Sequence, residues 1–308
     1  MIDDINSPRE HSSGMRRLFM NKGEIRAGWS IAIFVGLVVA ISIAFILPMR
    51  ILFTRLNLPL DGSLPYSMGA IEFATFLGVF LASVVMTRIE HKPVISYGLD
   101  GPLRFKNFIY GFLWGFLALS VLVGVMALFG FLRIDGEQIF GLKAIKYALE
   151  WGAVFILVGM TEEYMLRGYL LATLSRGIGF WWSAVILSVV FGSLHLGNHG
   201  ESPVGIFSAS AIGLIFCMSL WYQKTLWWAI GFHAAWDWAE SYFWGAADSG
   251  LVVKGHLLGV HPRGSILWSG GATGPEGSMF IVFLLIMIAL FMVAVWRNTR
   301  RGYEAVAE

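Results

Sequence analysis

Val154 to Ala172 reads VFILVGMTEEYMLRGYLLA. Its first seven residues are the interior of a membrane span, and the apolar stretch resumes after Arg167. Between them stand two adjacent glutamates, Glu162 and Glu163. An ionisable group at bilayer depth costs at least roughly 2.5–3.5 kcal/mol on insertion scales, so an acid pair there demands partners or a water-filled cavity. A helix of such mixed character cannot face lipid all round. It predicts a span held inside a bundle and bordering a cavity.

The chain around this stretch has the same character. Of 308 residues, 57% are hydrophobic and 14% charged, with mean hydropathy +0.70. Soluble domains carry about 25% charged residues. Apolar runs predict eight spans of roughly 20 residues, near 27–49, 66–87, 107–132, 147–172, 179–197, 203–222, 226–244 and 279–296. The expected fold is therefore an all-α polytopic membrane protein, a bundle of about eight transmembrane helices enclosing an intramembrane polar cavity. A net charge of +2, spread along the chain, argues against nucleic acid as a partner. The single cysteine, Cys217, lies in an apolar run and reads as a small packed hydrophobe.

Residues 1–26 are polar and read as a cytoplasmic tail with no cleavable signal peptide. Residues 27–300 form the expected transmembrane domain, and 301–308 a second cytoplasmic tail. With the N-terminus inside, fourteen Lys and Arg fall on the cytoplasmic side against seven opposite, which predicts both termini in the cytoplasm of a bacterial inner membrane. The glycine-rich connection 245–278 reads equally as a lid or re-entrant element over a cavity and as a surface connection.

Three short elements carry chemistry. On a helix, Glu163 and Arg167 are four apart and can pair across a turn. Glu162, rotated by about 100°, points elsewhere and stays available. A carboxylate in a low-dielectric site suits general-base work near neutral pH; the alternative is that both acids only anchor helices. The second element is FGSLH, Phe191 to His195, and the third is HAAWD, His233 to Asp237. Each places its first and last side chains on one helix face, and Asp237 could hold the His233 ring in one tautomer. A lone intramembrane histidine is more often a helix–helix hydrogen-bonding residue. Two of them, with an acid pair and an aspartate, are harder to explain so.

In this order, TEEYMLRG (Thr161–Gly168), FGSLH and HAAWD resemble the CPBP family of intramembrane proteases, which includes the type II CAAX prenyl endopeptidases and bacterial proteins of bacteriocin processing and self-immunity. The resemblance covers about 145–245. It implies an endopeptidase acting on a membrane protein or a lipidated or unmodified peptide, in which Glu162 activates water together with His195. It further implies that Glu163 and Arg167 form a supporting pair, and that His233 and Asp237 stabilise the oxyanion or hold the catalytic water. CAAX-processing members typically carry asparagine where Asp237 stands. An ionised aspartate cannot donate to an oxyanion, so Asp237 would orient His233 or ligate a metal.

Members of that family are described both as metalloproteases and as glutamate-dependent enzymes. Glu162, His195, His233 and Asp237 would make an adequate zinc set with an open position for water, and no organic cofactor is implied. His199, four after His195, looks like a metal pair but reads better as a helix-end residue. Glu72 and Glu240 are ionisable residues without a motif; Glu240 is a candidate for the same cavity and Glu72 for a polar partner on a neighbouring helix. Trp236 and Trp238 read as core or belt residues, one of them a candidate pocket wall. Two rival functions compete: a non-catalytic peptide-binding or immunity protein of this scaffold, and a proton-coupled transporter, against which stands the lack of an inverted repeat.

Overall fold

The computed structural model describes residues 19–21, 24–101 and 103–307, with side chains described to 296. The two expected tails at 1–26 and 301–308 lie almost wholly outside the described residues or side chains.

Long apolar runs become helices, and Pro, Gly and left-handed residues cut them apart. A two-residue hairpin, β1 (Met20–Asn21) and β2 (Glu24–Ile25), precedes α1 (Ala27–Arg55). Helix α2 (Pro65–Glu90) opens with proline, whose missing N–H is no loss in a first turn, and stops at left-handed His91. Then come α3 (Arg104–Leu128), strand β3 (Leu132–Asp135) and α4 (Gly141–Glu163). A π-helical segment, Tyr164–Leu170, joins α4 to α5 (Leu171–Ile178) without a break. Helices α6 (Phe180–Leu194), α7 (Pro203–Gln223) and α8 (Trp227–Asp237) follow. A second π-helical segment, Trp238–Trp244, extends α8. Strand β4 (Gly259–Pro262), the single turn α9 (Ile266–Ser269) and α10 (Met279–Ala307) complete the chain.

Among the described residues seven helices are long and apolar enough to cross a membrane. The protein is an integral, multi-pass, all-α membrane protein. The eighth expected span, 226–244, is helical over 227–244, yet it is not one of the seven. It carries Asp237 and Glu240, and every residue of α8 after Trp227 is buried. An apolar run does not by itself distinguish a helix wrapped in lipid from one wrapped in protein.

Helix α8 is the centre of the bundle, and glycine lets its neighbours reach it. A Cβ on Gly111 of α3 would lie 2.0 Å from the Trp228 carbonyl oxygen, and one on Gly115 2.2 Å from that of Phe232. Across the same seam, a Cβ on Gly231 would lie 2.2 Å from the Phe108 carbonyl oxygen. Such backbone-to-backbone contact is how helices gain packing where lipid removes the hydrophobic drive. From the other side, a Cβ on Gly159 of α4 would lie 3.0 Å from the Ile230 carbonyl oxygen. Clamped between α3 and α4, α8 has little freedom to rotate, and its His233 is turned towards the acid pair.

The segment 245–278 is folded rather than a bare connection. Strand β4 pairs antiparallel with β3, with Arg133 opposite His261, and Lys254 N–H donates to the Ser63 carbonyl at 2.8 Å. Gly250, at φ +87°, lies so near the His199 carbonyl that a Cβ would sit 1.9 Å from it. Only glycine permits both that backbone conformation and that approach.

Candidate active site

The acid pair splits as its spacing predicts. Arg167 Nη1 donates to Glu163 Oε1 at 2.8 Å, and both side chains are 0% exposed. The intervening chain is π-helical rather than α-helical, a local widening often found at functional sites. The guanidinium carbon lies 4.3 Å from the Phe191 ring centroid and 5.6 Å from that of Phe216, so two aromatic faces replace solvent around the charge. Gly213 of α7 makes the room, since a Cβ there would lie 2.5 Å from Arg167 Nη2. Glu162 has the other fate. Its side chain is 32% exposed and lines a cavity of about 500 Å³.

His233 joins the pair through an unforeseen contact. Its Nδ1 lies 3.0 Å from the same Glu163 Oε1 that holds the arginine. A carboxylate oxygen only accepts, so this nitrogen carries the proton and Nε2 is left to face the cavity. Nε2 lies 3.7 Å from Glu162 Oε2 and 3.6 Å from Asp237 Oδ2. These are charge contacts with room between them, not hydrogen bonds. Asp237, four residues on, therefore does not fix the His233 tautomer by a direct hydrogen bond; Glu163, from another helix, does.

His195 lies in a short 3-10 turn where α6 ends, on the same cavity. Its Nδ1 is 2.9 Å from the Phe191 carbonyl. The backbone N–H of His195 turns instead to Gly192 and Ser193, so the ring satisfies a carbonyl that the helix end would leave open. That contact leaves Nε2 for the cavity. The Phe191 ring meets His195 edge-on at 5.0 Å and His233 at 6.1 Å, a wall shared by the two imidazoles.

The structure thus brings Glu162 of α4, His195 at the end of α6, and His233 and Asp237 of α8 to one cavity, with Glu163 and Arg167 buried beside them, and it adds residues the sequence did not assign to it. Glu72 of α2 lines the same space, as do Asp248 and Glu276 of the glycine-rich segment. Asp248 lies outside the spanning helices; burial, then the neighbouring Asp237 and Glu276 carboxylates, hold its carboxyl well above the usual range. His199 also borders the cavity, in the exposed bend after α6 and not in a helical pair with His195. Trp236 serves both as core and as cavity wall, whereas Trp238 packs inward and donates Nε1–H to the Ala148 carbonyl at 2.9 Å. Glu240 lies elsewhere than expected: it is fully buried behind the cavity wall rather than on it.

As zinc ligands, Glu162, His233 and Asp237 have the right chemistry, and His233 has the outer hydrogen bond that metal-bound histidines favour. Their donor atoms do not close to within 4.8 Å of one another as a set of three. The arrangement as it stands fits a water held among separate groups better than a small ion gripped by all of them.

Sequence comparison agrees with this geometry. Residues 144–239 match the family model described as type II CAAX prenyl endopeptidase Rce1-like, about a third of the chain and the part that holds all six residues above. No curated protein and no solved structure matches the chain. The family is one of CAAX-protease-like intramembrane endopeptidases, which fits a lipid-embedded protein acting on a membrane-associated substrate. Residues 144–239 of this multi-pass membrane protein form an Rce1-like domain, similar to the type II CAAX prenyl endopeptidases, which supports assignment to the CPBP family.

Proposed function

We propose that the protein hydrolyses a peptide bond of a membrane-associated protein or peptide, with Glu162 as the base that activates water. The observation that carries this reading is the division within the acid pair. Glu163 is fully engaged by Arg167 and His233, while Glu162, the next residue, faces the cavity with its carboxylate uncommitted.

In this reading Glu162 takes a proton from water as the oxygen attacks the scissile carbonyl carbon. The carbonyl π electrons move to oxygen. When the C–N bond breaks, the proton on Glu162 passes to the departing amine nitrogen, so base becomes acid within one turnover. His195 Nε2 orients the water or, when protonated, donates to the oxyanion. His233, held by Glu163 at Nδ1, presents Nε2 between Glu162 and Asp237; when Nε2 is protonated as well, the imidazolium offsets their negative charge. A zinc ion, if bound, would be held by Glu162, His195, His233 and Asp237 and would supply Lewis acidity to the water. The catalytic core is residues 145–245, between tails 1–26 and 301–308. Both termini face the cytoplasm of a bacterial cell membrane, on the two-to-one excess of positive charge.

The test is cleavage by purified protein in proteoliposomes, comparing a prenylated CAAX peptide with an unmodified membrane-anchored peptide. Wild type should cut one of the two, and Glu162→Gln, His195→Ala and His233→Ala should not. If all three variants cut as wild type does, hydrolysis by this site is wrong.

A further inference from the structure

At the edge of the cavity lies a second set of acids that the proposed hydrolysis does not use, two of them on its wall and Glu240 buried behind it. Glu240 comes from the π-helical extension of α8, Asp248 from the start of the glycine-rich segment, and Glu276 from the 3-10 turn Pro275–Gly277 that leads into α10. One carboxylate oxygen from each lies within 4.8 Å of the others. Glu240 is 0% exposed, and neither of its carboxylate oxygens accepts a well-formed hydrogen bond from a described residue, the Trp236 indole being the one neutral donor beside it. None of the three forms an ion pair with a described lysine or arginine. Asp248 accepts from Ser241 Oγ at 3.0 Å, and Glu276 accepts from the N–H and hydroxyl of Ser249. These contacts satisfy one oxygen of each and leave Glu240 unanswered.

We infer that Glu240, Asp248 and Glu276 form a binding site for a hard divalent cation of the calcium type, which fastens the glycine-rich segment against the bundle.

Three arguments carry this. Burying an unpaired carboxylate is costly, and a cation is one of the few groups that makes it favourable. The donors are all carboxylate and hydroxyl oxygens, without histidine or cysteine, which suits calcium, magnesium or manganese rather than zinc. A spacing within 4.8 Å is also what an ion spans when its Ca–O bonds are about 2.3–2.6 Å, since opposite ligands then lie roughly 4.6–5.2 Å apart.

Placement gives the site a consequence. Asp248 and Glu276 also line the catalytic cavity beside Glu162 and Asp237, so whatever fixes them fixes one wall of that cavity. The backbone there is closely set: a Cβ on Gly274, at φ +109°, would lie 1.9 Å from the Ala247 carbonyl and 3.3 Å from Glu240 Oε1. Three carboxylates drawn together without a cation must either repel one another or take up protons, and both remove what would hold this joint closed. The cation is thus a clasp on the 245–278 segment, and it is independent of whether Glu162 cuts peptides.

The experiment uses full-length protein in detergent, stripped with chelator and dialysed, then titrated separately with Ca²⁺, Mg²⁺ and Zn²⁺. Thermal unfolding and hydrogen exchange of 245–278 are the readouts. Ca²⁺ should raise Tm by several degrees and slow exchange across 245–278, saturably, with Zn²⁺ not reproducing the effect. Glu240→Gln removes one of the repelling charges without changing shape. It should therefore be more stable than wild type in chelator and show no gain on adding Ca²⁺. Glu162→Gln should keep the full Ca²⁺ response, which separates this site from the catalytic one. A wild type whose Tm and exchange ignore all three ions would overturn the proposal, and so would a Ca²⁺ response that survives Glu240→Gln or disappears in Glu162→Gln. If Glu240→Gln cannot be purified, Asp248→Asn takes its place with the same two outcomes.

Discussion

Glu163 Oε1 accepts from two groups at once: Arg167 Nη1 at 2.8 Å within its own helix, and His233 Nδ1 at 3.0 Å from α8. One oxygen therefore ties the arginine to the histidine and sets which nitrogen of His233 faces the cavity. This junction, more than the His233–Asp237 spacing, aligns the helices that carry the candidate chemistry.

Glu163→Ala should damage the fold as well as any activity. It leaves the Arg167 guanidinium, 0% exposed, with no counter-charge. Removing one partner of a buried ion pair costs about 3–5 kcal/mol. Arg167→Lys should not be neutral either, because a lysine cannot reproduce the planar contact that the guanidinium makes 4.3 Å from the Phe191 ring centroid. Thermal unfolding of both variants in detergent decides this; a Tm equal to wild type for Glu163→Ala would show that the junction carries no stability.

Glu162→Gln should do the reverse. The side chain is partly exposed to the cavity and accepts no hydrogen bond from a described residue, its ion-pair contact being His233 Nε2 at 3.7 Å. Stability should stay within the range of an ordinary surface change, about 0.5 kcal/mol. Turnover should fall by about 10²–10⁴-fold, the usual contribution of a positioned general base. Equal losses in Tm for Glu162→Gln and Glu163→Ala would refute the division of labour within the pair.

Much of this was legible in the residues. Helical spacing alone paired Glu163 with Arg167, and apolar runs located the helices to within a few residues except where polar ends extend them, as in α4. The His233–Glu163 contact was not legible, because it joins residues 70 apart and depends on how Gly111, Gly115 and Gly159 let α3 and α4 close on α8. The same is true of the wall formed by Asp248 and Glu276. Their segment has no hydrophobic periodicity, and its path is set by left-handed glycines and by strand pairing with β3. The inward placement of 227–244 was missed for a related reason: its aromatic residues read as a membrane span although Asp237, Glu240 and His233 make it less apolar than the seven spans, and what surrounds it is written in other helices.

Asp237 invites a substitution in the opposite sense to a knockout. Asp237→Asn keeps the shape and supplies an N–H donor towards the cavity, but removes a negative charge 3.6 Å from His233 Nε2. Activity should stay within about tenfold of wild type, an effect of about 1.4 kcal/mol, whereas Asp237→Ala should lose most of it. If Asn is as damaging as Ala, the carboxylate charge itself is needed, as a metal ligand or a counter-charge to His233.

The zinc question is answered by counting metal. Protein purified without chelator should contain less than one zinc per chain at Glu162, His195, His233 and Asp237, since the Glu162, His233 and Asp237 donors do not close into a set of three. Mass spectrometry of wild type beside Glu162→Gln gives the stoichiometry. One zinc per wild-type chain that is lost in the variant, with activity lost on chelation and restored by zinc, would show that the site works with a metal.

The last expectation concerns a residue far from any acid. Gly111 lies on α3, where a Cβ would come within 2.0 Å of the Trp228 carbonyl oxygen, a backbone atom that cannot swing away. Gly111→Ala must therefore push α3 and α8 apart. Overpacking of this kind costs about 1–3 kcal/mol. The displacement also carries His233, one and a half turns along α8, away from Glu163 Oε1, so proteolytic activity should fall by more than the stability loss explains. Gly124→Ala on the same helix is the control, because nothing lies within 4 Å of its Cβ position. Measured side by side, Gly111→Ala should lower both Tm and turnover while Gly124→Ala changes neither. Equal behaviour of the two would mean that α8 is not positioned by its seam with α3.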